Sequence, residues 1–155
     1  PAGERLDQID YDLEHAEGLS ATGVQIDVAA LQMERDGLCT GPAGELVHRQ
    51  YTPERLQEVR SRQDYVIGQL TGLGTVIETC PTSNLLIGAV PDPASHPVHR
   101  FLASDVNLAI GADDPGTFDS PLAAEVEWVG QHSGLTEQAL VARLGDPRRF
   151  ALGRG

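Results

Sequence analysis

The chain of 155 residues has the length of one domain, and its net charge of −12 argues against a surface that binds nucleic acid or anionic lipid through clustered Lys and Arg. The sequence contains no run of about 18 apolar residues, so no membrane-spanning helix is expected. The two cysteines, Cys39 and Cys80, are too few for a disulfide framework, and no signal peptide is visible, which together favour a cytoplasmic protein with reduced thiols.

The N-terminal third of the chain is predicted to be helical. Apolar residues recur at three- and four-residue steps between Glu4 and Glu17, which predicts one helix that ends at Gly18. A weaker pattern predicts a second helix over Gln25–Gly37, and the segment 37–50 holds glycines and a proline typical of a loop. We interpret residues 1–50 as a helical insertion.

A long helix and a buried strand are predicted next. Thr52 is predicted to cap this helix, Pro53 stands in the first turn where its missing N–H costs nothing, and Gly72 and Gly74 end it. The strand Thr75–Thr79 follows at once and is apolar and β-branched, as expected of a buried parallel strand. The segment Pro81–Ser95, which is rich in proline and glycine, is predicted to be a loop.

Four further elements are predicted: a short helix over Pro97–Ala103, a strand over Val106–Ile110, a helix capped by Ser120 and ended by Gly134, and a helix from Thr136 to Leu144. The tail 146–155 is predicted to be partly frayed. The strand–helix–strand order predicts a parallel pair with a right-handed crossover. Two strands do not make a stable parallel sheet by themselves, so further strands must come from elsewhere.

Two adjacent carboxylates stand where the second strand ends, in Ile110-Gly111-Ala112-Asp113-Asp114-Pro115. Like charges repel each other, and burial disfavours ionised carboxylates, so a metal ion at this point would relieve both costs. The alternative is an ordinary turn, because Asp, Pro and Gly are common turn residues. The pattern alone leaves both interpretations open.

A second motif, Cys80-Pro81-Thr82-Ser83-Asn84, follows the first strand, and His96-Pro97 lies between the two motifs. In order and spacing these pieces resemble the last two strands of the adenosine deaminase superfamily of zinc hydrolases, over roughly Tyr51 to His132. The resemblance implies an α/β fold in which residues 51–145 form the C-terminal portion of a (β/α)8 TIM-type barrel, with its site at the carboxyl ends of the strands.

The resemblance also implies a site and a reaction. Asp113 matches the family's zinc-ligand Asp, Asp114 matches the Asp that contacts the substrate base, and Gly111 and Ala112 would let ligand and substrate approach the backbone. One zinc ion would be held mostly by ligands from outside this chain. Zinc-activated hydroxide would attack the amino-bearing ring carbon of an aminopurine nucleoside or nucleotide, and ammonia would leave.

The sequence departs from the family in its missing ligands. It contains no His-x-His pair, and His15-Ala16-Glu17 lacks the glycine of the family's fifth-strand motif and follows an acidic helical segment, so we assign neither His15 nor Glu17 to the site. The expected partner is therefore the remaining half of the barrel, from the same or another chain, and a homo-oligomer stays open. The alternative is a degenerate, non-catalytic barrel fragment that acts as an assembly or regulatory module.

Seven other residues receive packing or bracing roles. Ser83 and Asn84 are expected to brace backbone groups, Glu78 to be a paired structural residue, His96 and His99 to be surface or capping residues, and Cys80 and Trp128 to pack.

Overall fold

The computed structural model describes residues 1–42, 46–48 and 50–150, and the chain forms two compact units, Pro1–Val66 and Ile67–Gly155. The described helices and strands are α1 (Ala2–Glu14), α2 (Ala16–Ala21), α3 (Val28–Thr40), α4 (Pro53–Gly72), β1 (Val76–Thr79), α5 (Pro81–Leu86), α6 (Val98–Leu102), β2 (Asn107–Ile110), α7 (Pro115–Phe118), α8 (Leu122–Ser133) and α9 (Glu137–Leu144). Within the described ranges, no helix is both long and apolar enough to cross a bilayer.

The first unit is helical, as predicted, but its helices have different bounds. The single helix predicted over Glu4–Glu17 is wrong, because His15 interrupts it with φ −108° and ψ 18°. Gly18 does not end a helix, since α2 continues to Ala21. A Cβ at Gly18 would lie 2.6 Å from the ring of Tyr65, so glycine serves close packing at this point.

Ion pairs join the helices of the first unit, in which Ile9, Leu19 and Val24 are the larger buried apolar residues and Arg5 and Asp12 are buried charges. The Arg5 guanidinium donates to both carboxylate oxygens of Glu34, at 2.8 and 2.7 Å. Arg62 donates to both oxygens of Asp12, and the Asp12 side chain is 1% exposed. Paired guanidinium and carboxylate groups keep these buried charges satisfied.

The second unit contains the predicted parallel pair of strands. β1 pairs with β2 in the register Val76↔Asn107, Ile77↔Leu108, Glu78↔Ala109 and Thr79↔Ile110. Helices α5 and α6 lie in the connection between the strands. The parallel pairing predicted from the element order is therefore confirmed in the structure.

The two faces of the sheet differ in character. Ile77, Leu108 and Ile110 pack with Val98, Val129 and Leu140 into the apolar core beneath α6, α8 and α9. Because side chains alternate along a strand, Glu78 and Ala109 belong to the opposite face. Glu78 is exposed on that face.

Several helix starts follow the predicted chemistry. Thr52 accepts a hydrogen bond from the Arg55 amide at 3.2 Å, and Thr136 accepts one from the Ala139 amide at 3.2 Å. The cap predicted at Ser120 is wrong: α8 begins after Pro121 without a side-chain cap, and the Ser120 hydroxyl donates to Glu125 instead.

The predicted loop Pro81–Ser95 is wrong in two places, since it contains α5 and a 3-10 turn at Pro93–Ser95. The loop predicted over 37–50 begins later, because α3 runs to Thr40, and residues 43–45 and 49 lie outside the described residues. The predicted tail forms a 3-10 turn at Pro147–Phe150, and residues 151–155 lie outside the described residues.

Candidate active site

Asp113 lies just beyond the carboxyl end of β2. The Gly111 amide donates to the Thr79 carbonyl at 2.9 Å and extends the strand ladder by one step. Three residues after the strand, Asp113 adopts φ +54°, a left-handed conformation that costs most non-glycine residues free energy. Its carboxylate is exposed, so the carboxyl edge of the sheet presents an anionic group on a constrained backbone.

The first motif meets the second at this carboxylate. The Ser83 hydroxyl donates to Asp113 Oδ2 at 2.6 Å, and the Ser83 side chain is nearly fully buried at 3% exposed. Ser83 therefore braces a carboxylate rather than a backbone group, which the sequence analysis did not anticipate.

Cys80 has the environment of a packing thiol. Burial raises its pKa above the ordinary value of 9.0, and the Asp113 amide offsets part of that rise. The thiol is therefore protonated at neutral pH and a poor nucleophile.

Gly111 is needed by its neighbours on β1. A Cβ at this position would lie against the Glu78 carboxylate and 3.0 Å from Cys80 Sγ. Gly111 thus brings the Glu78 carboxylate to the same edge of the sheet as Asp113. Glu78 was expected to be a paired structural residue, but in this chain it is exposed.

Asp114 is the N-cap of α7. Its Oδ1 accepts from the amides of Gly116 at 3.0 Å and Thr117 at 3.1 Å, and its Oδ2 accepts from the Thr117 hydroxyl at 2.6 Å. The Thr117 bonds, with that of Gly116, hold the pKa of Asp114 below its ordinary value of 3.8. Asp114 is therefore an exposed carboxylate that stays ionised and is fixed in direction.

His96 fixes the residue after Ser83. It is 2% exposed, so it is not a surface residue, but it caps as predicted: its Nδ1 accepts from the Val98 amide at 3.0 Å. The proton of the neutral ring therefore sits on Nε2, which lies 3.2 Å from the side-chain amide of Asn84. Exchanging the Oδ1 and Nδ2 positions of that amide lets Oδ1 accept this hydrogen bond. Burial, with a smaller effect of His99, lowers the pKa of His96, so the ring is neutral at pH 7.

Two further residues were missed by the sequence analysis. Glu125 in α8 is fully buried, and its Oε2 accepts from the Thr82 amide at 3.0 Å. Ser120 donates to the other oxygen of the same carboxylate. No local pattern marks these residues, because their partners lie about 40 residues away or across a helix start.

The structure brings Asp113, Asp114 and Gly111 together with Ser83, Cys80 and Glu78 at one edge of the sheet. His15 lies in the first unit, where its ring packs at a tilt of 42° against that of Tyr11, with centroids 4.3 Å apart, and its Nδ1 lies 3.2 Å from the Tyr65 hydroxyl. Among the residues that the structure describes, no group of three or more His, Cys, Asp or Glu side chains is arranged to hold a metal ion.

Comparison with known proteins places these motifs in a family. The profile described as adenosine deaminase matches residues 52–145, which include both strands and Asp113. An adenine deaminase from Rhizobium leguminosarum bv. trifolii (strain WSM2304) is 39% identical over 85 residues, which is 54% of this chain and 26% of that relative.

Two other relatives carry different names. An aminodeoxyfutalosine deaminase from Acidothermus cellulolyticus is 46% identical over 52 residues, 34% of this chain and 15% of that protein. A putative adenosine/adenine deaminase from Streptomyces coelicolor is 36% identical over 83 residues, 53% of this chain and 24% of that protein. The chain thus spans about a quarter or less of the length of these relatives, and no solved structure matches it.

Proposed function

We propose, because this chain belongs to the adenosine deaminase family, that it forms the C-terminal part of a zinc-dependent hydrolytic deaminase that acts on an aminopurine. The observation that carries the proposal is the hydrogen bond from Ser83 to Asp113, which joins the carboxyl ends of β1 and β2 at 2.6 Å. Active sites of (β/α)8 enzymes lie at this end of the strands. The proposed substrates are adenosine or a related nucleoside or nucleotide, and the names of the relatives add free adenine.

The remaining strands of the barrel are proposed to come from outside this chain. Within the described residues the sheet has two strands and therefore two open edges, whereas parallel sheets normally have more strands and are covered on both faces. Glu78 and Ala109 lie on the face that a barrel would enclose. An exposed carboxylate on that face fits the polar end of a barrel interior better than an apolar core.

The donor chemistry of Asp113 fits a zinc ligand. Zinc binds carboxylate oxygen, and catalytic sites use three protein ligands, so the other protein ligands must come from the rest of the barrel. Ser83 engages Oδ2, which leaves Oδ1 to face the metal. A bound zinc would supply the acidity that activates water at neutral pH. Asp113 would contribute negative charge, and Ser83 would fix the direction of its carboxylate.

Asp114 and Gly111 are proposed to act on the substrate side of the site. Asp114 is held rigid by the start of α7 and remains ionised, so it can accept a hydrogen bond from the base at a fixed position. Because Gly111 has no side chain, substrate could approach the backbone at this position. The missing side chain also leaves room for the Glu78 carboxylate.

The complete protein that contains this sequence is the object to test. We expect it to copurify with one zinc ion and to release ammonia from adenine or adenosine. Removing zinc with a chelator should abolish ammonia release, and adding zinc back should restore it. A complete protein without zinc and without activity on adenine, adenosine or its nucleotides would contradict the proposal.

The second candidate is a non-catalytic barrel piece that acts as an assembly or regulatory module. It is favoured by the lack of a three-residue metal cluster among the described residues. The reading frame upstream of Pro1 discriminates the two. A His-x-His motif encoded there favours the enzyme, whereas its absence favours the module.

A further inference from the structure

A fully buried carboxylate, Glu125, lies behind the candidate site. Its side chain is 0% exposed on α8, and its oxygens accept hydrogen bonds from the Thr82 amide at 3.0 Å and from the Ser120 hydroxyl. Ser120 is itself 5% exposed and lies 3.5 Å from the Thr82 hydroxyl. Burying a carboxylate without a cation costs free energy, so these two donors are what make its burial tolerable.

The bonds of Glu125 end on the helix that carries Ser83. α5 has six residues, too few to be stable on its own, and its N-cap residue Cys80 provides no side-chain cap. Glu125 supplies an acceptor for the amide of the second residue of α5, so α8 caps α5 from a distance of 43 positions along the chain.

The next two residues of α5 are held by different groups. The Ser83 hydroxyl donates a hydrogen bond to the Asp113 carboxylate, and the Asn84 side-chain amide is hydrogen-bonded to the His96 ring. Three successive residues in the first turn of α5, Thr82, Ser83 and Asn84, are therefore held by contacts to other elements. Glu125 holds Thr82, the residue that immediately precedes Ser83.

We propose that Glu125 is a positioning residue for Asp113. It holds the amide of Thr82, and through it the backbone that carries Ser83, so that the Ser83 hydroxyl keeps the Asp113 carboxylate in one orientation. This inference deepens the proposed function and rests on it for its catalytic readout. Packing alone does not require a carboxylate here, because Val129 and Trp128 already anchor α8 in the core.

Matched variants of the complete enzyme test this coupling. Glu125→Gln keeps both bonds, since its Oε1 accepts from Thr82 and its amide donates to Ser120 Oγ. Glu125→Met has a similar volume and loses both bonds. The control is Glu127→Gln, two residues along α8, where the carboxylate is exposed and accepts from Gln131.

We expect Glu125→Met to lower kcat per bound zinc by about 10- to 100-fold, as is typical when the support of a metal ligand is removed. Glu125→Gln should restore most of that loss, and Glu127→Gln should leave kcat unchanged. The decisive measurement is the double variant with Ser83→Ala. If Glu125 acts through Ser83, Glu125→Met lowers kcat no further in the Ser83→Ala background.

Losses in kcat that simply multiply in the double variant would overturn the inference, as would an unchanged kcat in Glu125→Met. Amide hydrogen exchange at Thr82 provides a readout that does not depend on activity. Faster exchange in Glu125→Met than in Glu125→Gln supports the bridge even in a protein that lacks deaminase activity, in which case the proposed function fails alone. Equal exchange at Thr82 in the two variants and the parent protein refutes the bridge whatever the activity.

Discussion

The two adjacent aspartates make different hydrogen bonds, and their backbone conformations differ. Asp113 has φ +54° and takes a hydroxyl hydrogen bond from Ser83, while Asp114 has an extended backbone and caps α7. One carboxylate is thus held by a residue of a neighbouring element and the other by the turn that follows it. The turn interpretation applies to Asp114, which has the hydrogen bonds of a turn, and the ligand interpretation of Asp113 stays a prediction.

Asp113→Asn tests the ligand role without changing the backbone preference, since Asn tolerates the left-handed region as well as Asp. We expect it to abolish deamination and to weaken zinc binding in the complete enzyme, because an anionic donor is replaced by a neutral amide. The measurements are ammonia release and zinc content by atomic absorption. Asp119→Asn is the matched control, because Asp119 is also exposed with φ +48°. Full activity and metal content in Asp113→Asn would refute the assignment.

Asp114→Asn separates the charge of Asp114 from its cap. Asn and Asp are equally good N-caps, so α7 should keep its start and the thermal unfolding midpoint should stay unchanged. We expect zinc to be retained while kcat/KM falls at least about tenfold, or about 1.4 kcal/mol of transition-state stabilisation. Asp114→Ala should in addition cost about 0.5–2 kcal/mol of stability through the lost cap. Unchanged kinetics in Asp114→Asn would remove this residue from the site.

At the scale of elements, the sequence predicted those features that depend on residues close together in the chain. The apolar runs of β1 and β2, the cap at Thr52 and the cap at Thr136 are set by neighbouring residues, and the structure contains them. α5 was missed because Pro81-Thr82-Ser83-Asn84 is turn chemistry by itself. Its helix depends on partners far along the chain, with Glu125 the most distant, and no window of sequence contains them.

The start of β2 depends on one arginine. Arg143 of α9 donates to four backbone carbonyls, at Phe101 (2.7 Å), Leu102 (3.0 Å), Ser104 (2.7 Å) and Val106 (2.7 Å). Arg143→Ala should destabilise the complete protein by about 1–3 kcal/mol, because carbonyls at the end of α6 lose their donors. Arg143→Lys should recover only part, since an ammonium lacks the fork of donors.

The urea midpoint, followed by the fluorescence of Trp128, measures both Arg143 variants. Arg148→Ala is the control, because the ion pair of Arg148 with Asp146 is exposed and contributes little. Equal midpoints for the Arg143→Ala and Arg148→Ala variants would show that the four carbonyl bonds do not stabilise the fold.

The connection between the strands is also sensitive to acid. Burial, and to a smaller extent His99, lowers the pKa of His96 below 6.5, while Glu125 opposes the shift. The unfolded chain therefore binds a proton at His96 that the folded chain rejects. The contribution of His96 to the free energy of unfolding should therefore be constant above about pH 6.5. Below that pH it should fall, by at most about 1.4 kcal/mol per pH unit.

His96→Asn removes the titration and keeps an acceptor for the Val98 amide. We expect the urea midpoint of this variant to change less between about pH 6.5 and 5.5 than that of the parent protein. Trp128 reports the transition well, because its ring lies 5.5 Å from that of His96. An identical pH dependence in the two proteins would contradict a role for His96 in this window.

At the scale of the whole molecule, the parallel pair of strands could be predicted from the sequence more readily than the geometry of the site. Two parallel strands and the apolar residues on their helices are visible in the sequence. The Ser83–Asp113 and Glu125–Thr82 hydrogen bonds join residues that lie 30 and 43 positions apart in the chain, so they form only in the folded structure. The other zinc ligands that the family resemblance implies have no match in this sequence, so neither pattern nor geometry within it could identify them.

The last prediction concerns residues 1–155 expressed alone. Leu56, Val66 and Leu73 are 48%, 39% and 80% exposed, and in the part of the chain that the structure describes the sheet has two strands with open edges. Exposed apolar side chains and unpaired strand edges both promote association. We expect the isolated chain to aggregate or stay partly unfolded, and not to deaminate adenosine even with zinc present. Asp113 would supply one ligand, whereas catalytic zinc sites typically use three from protein.

Co-expression with the segment that supplies the other strands should restore solubility, zinc binding and deamination together, because metal binding and folding are linked when the ligands come from both parts. Size-exclusion chromatography, zinc analysis and ammonia release measure the three properties on the same sample. A co-expressed pair that becomes soluble but binds no zinc would favour the assembly module over the enzyme. A monodisperse monomer of the isolated chain that unfolds cooperatively would show instead that these residues need no further strands, and the half-barrel proposal would have to be abandoned.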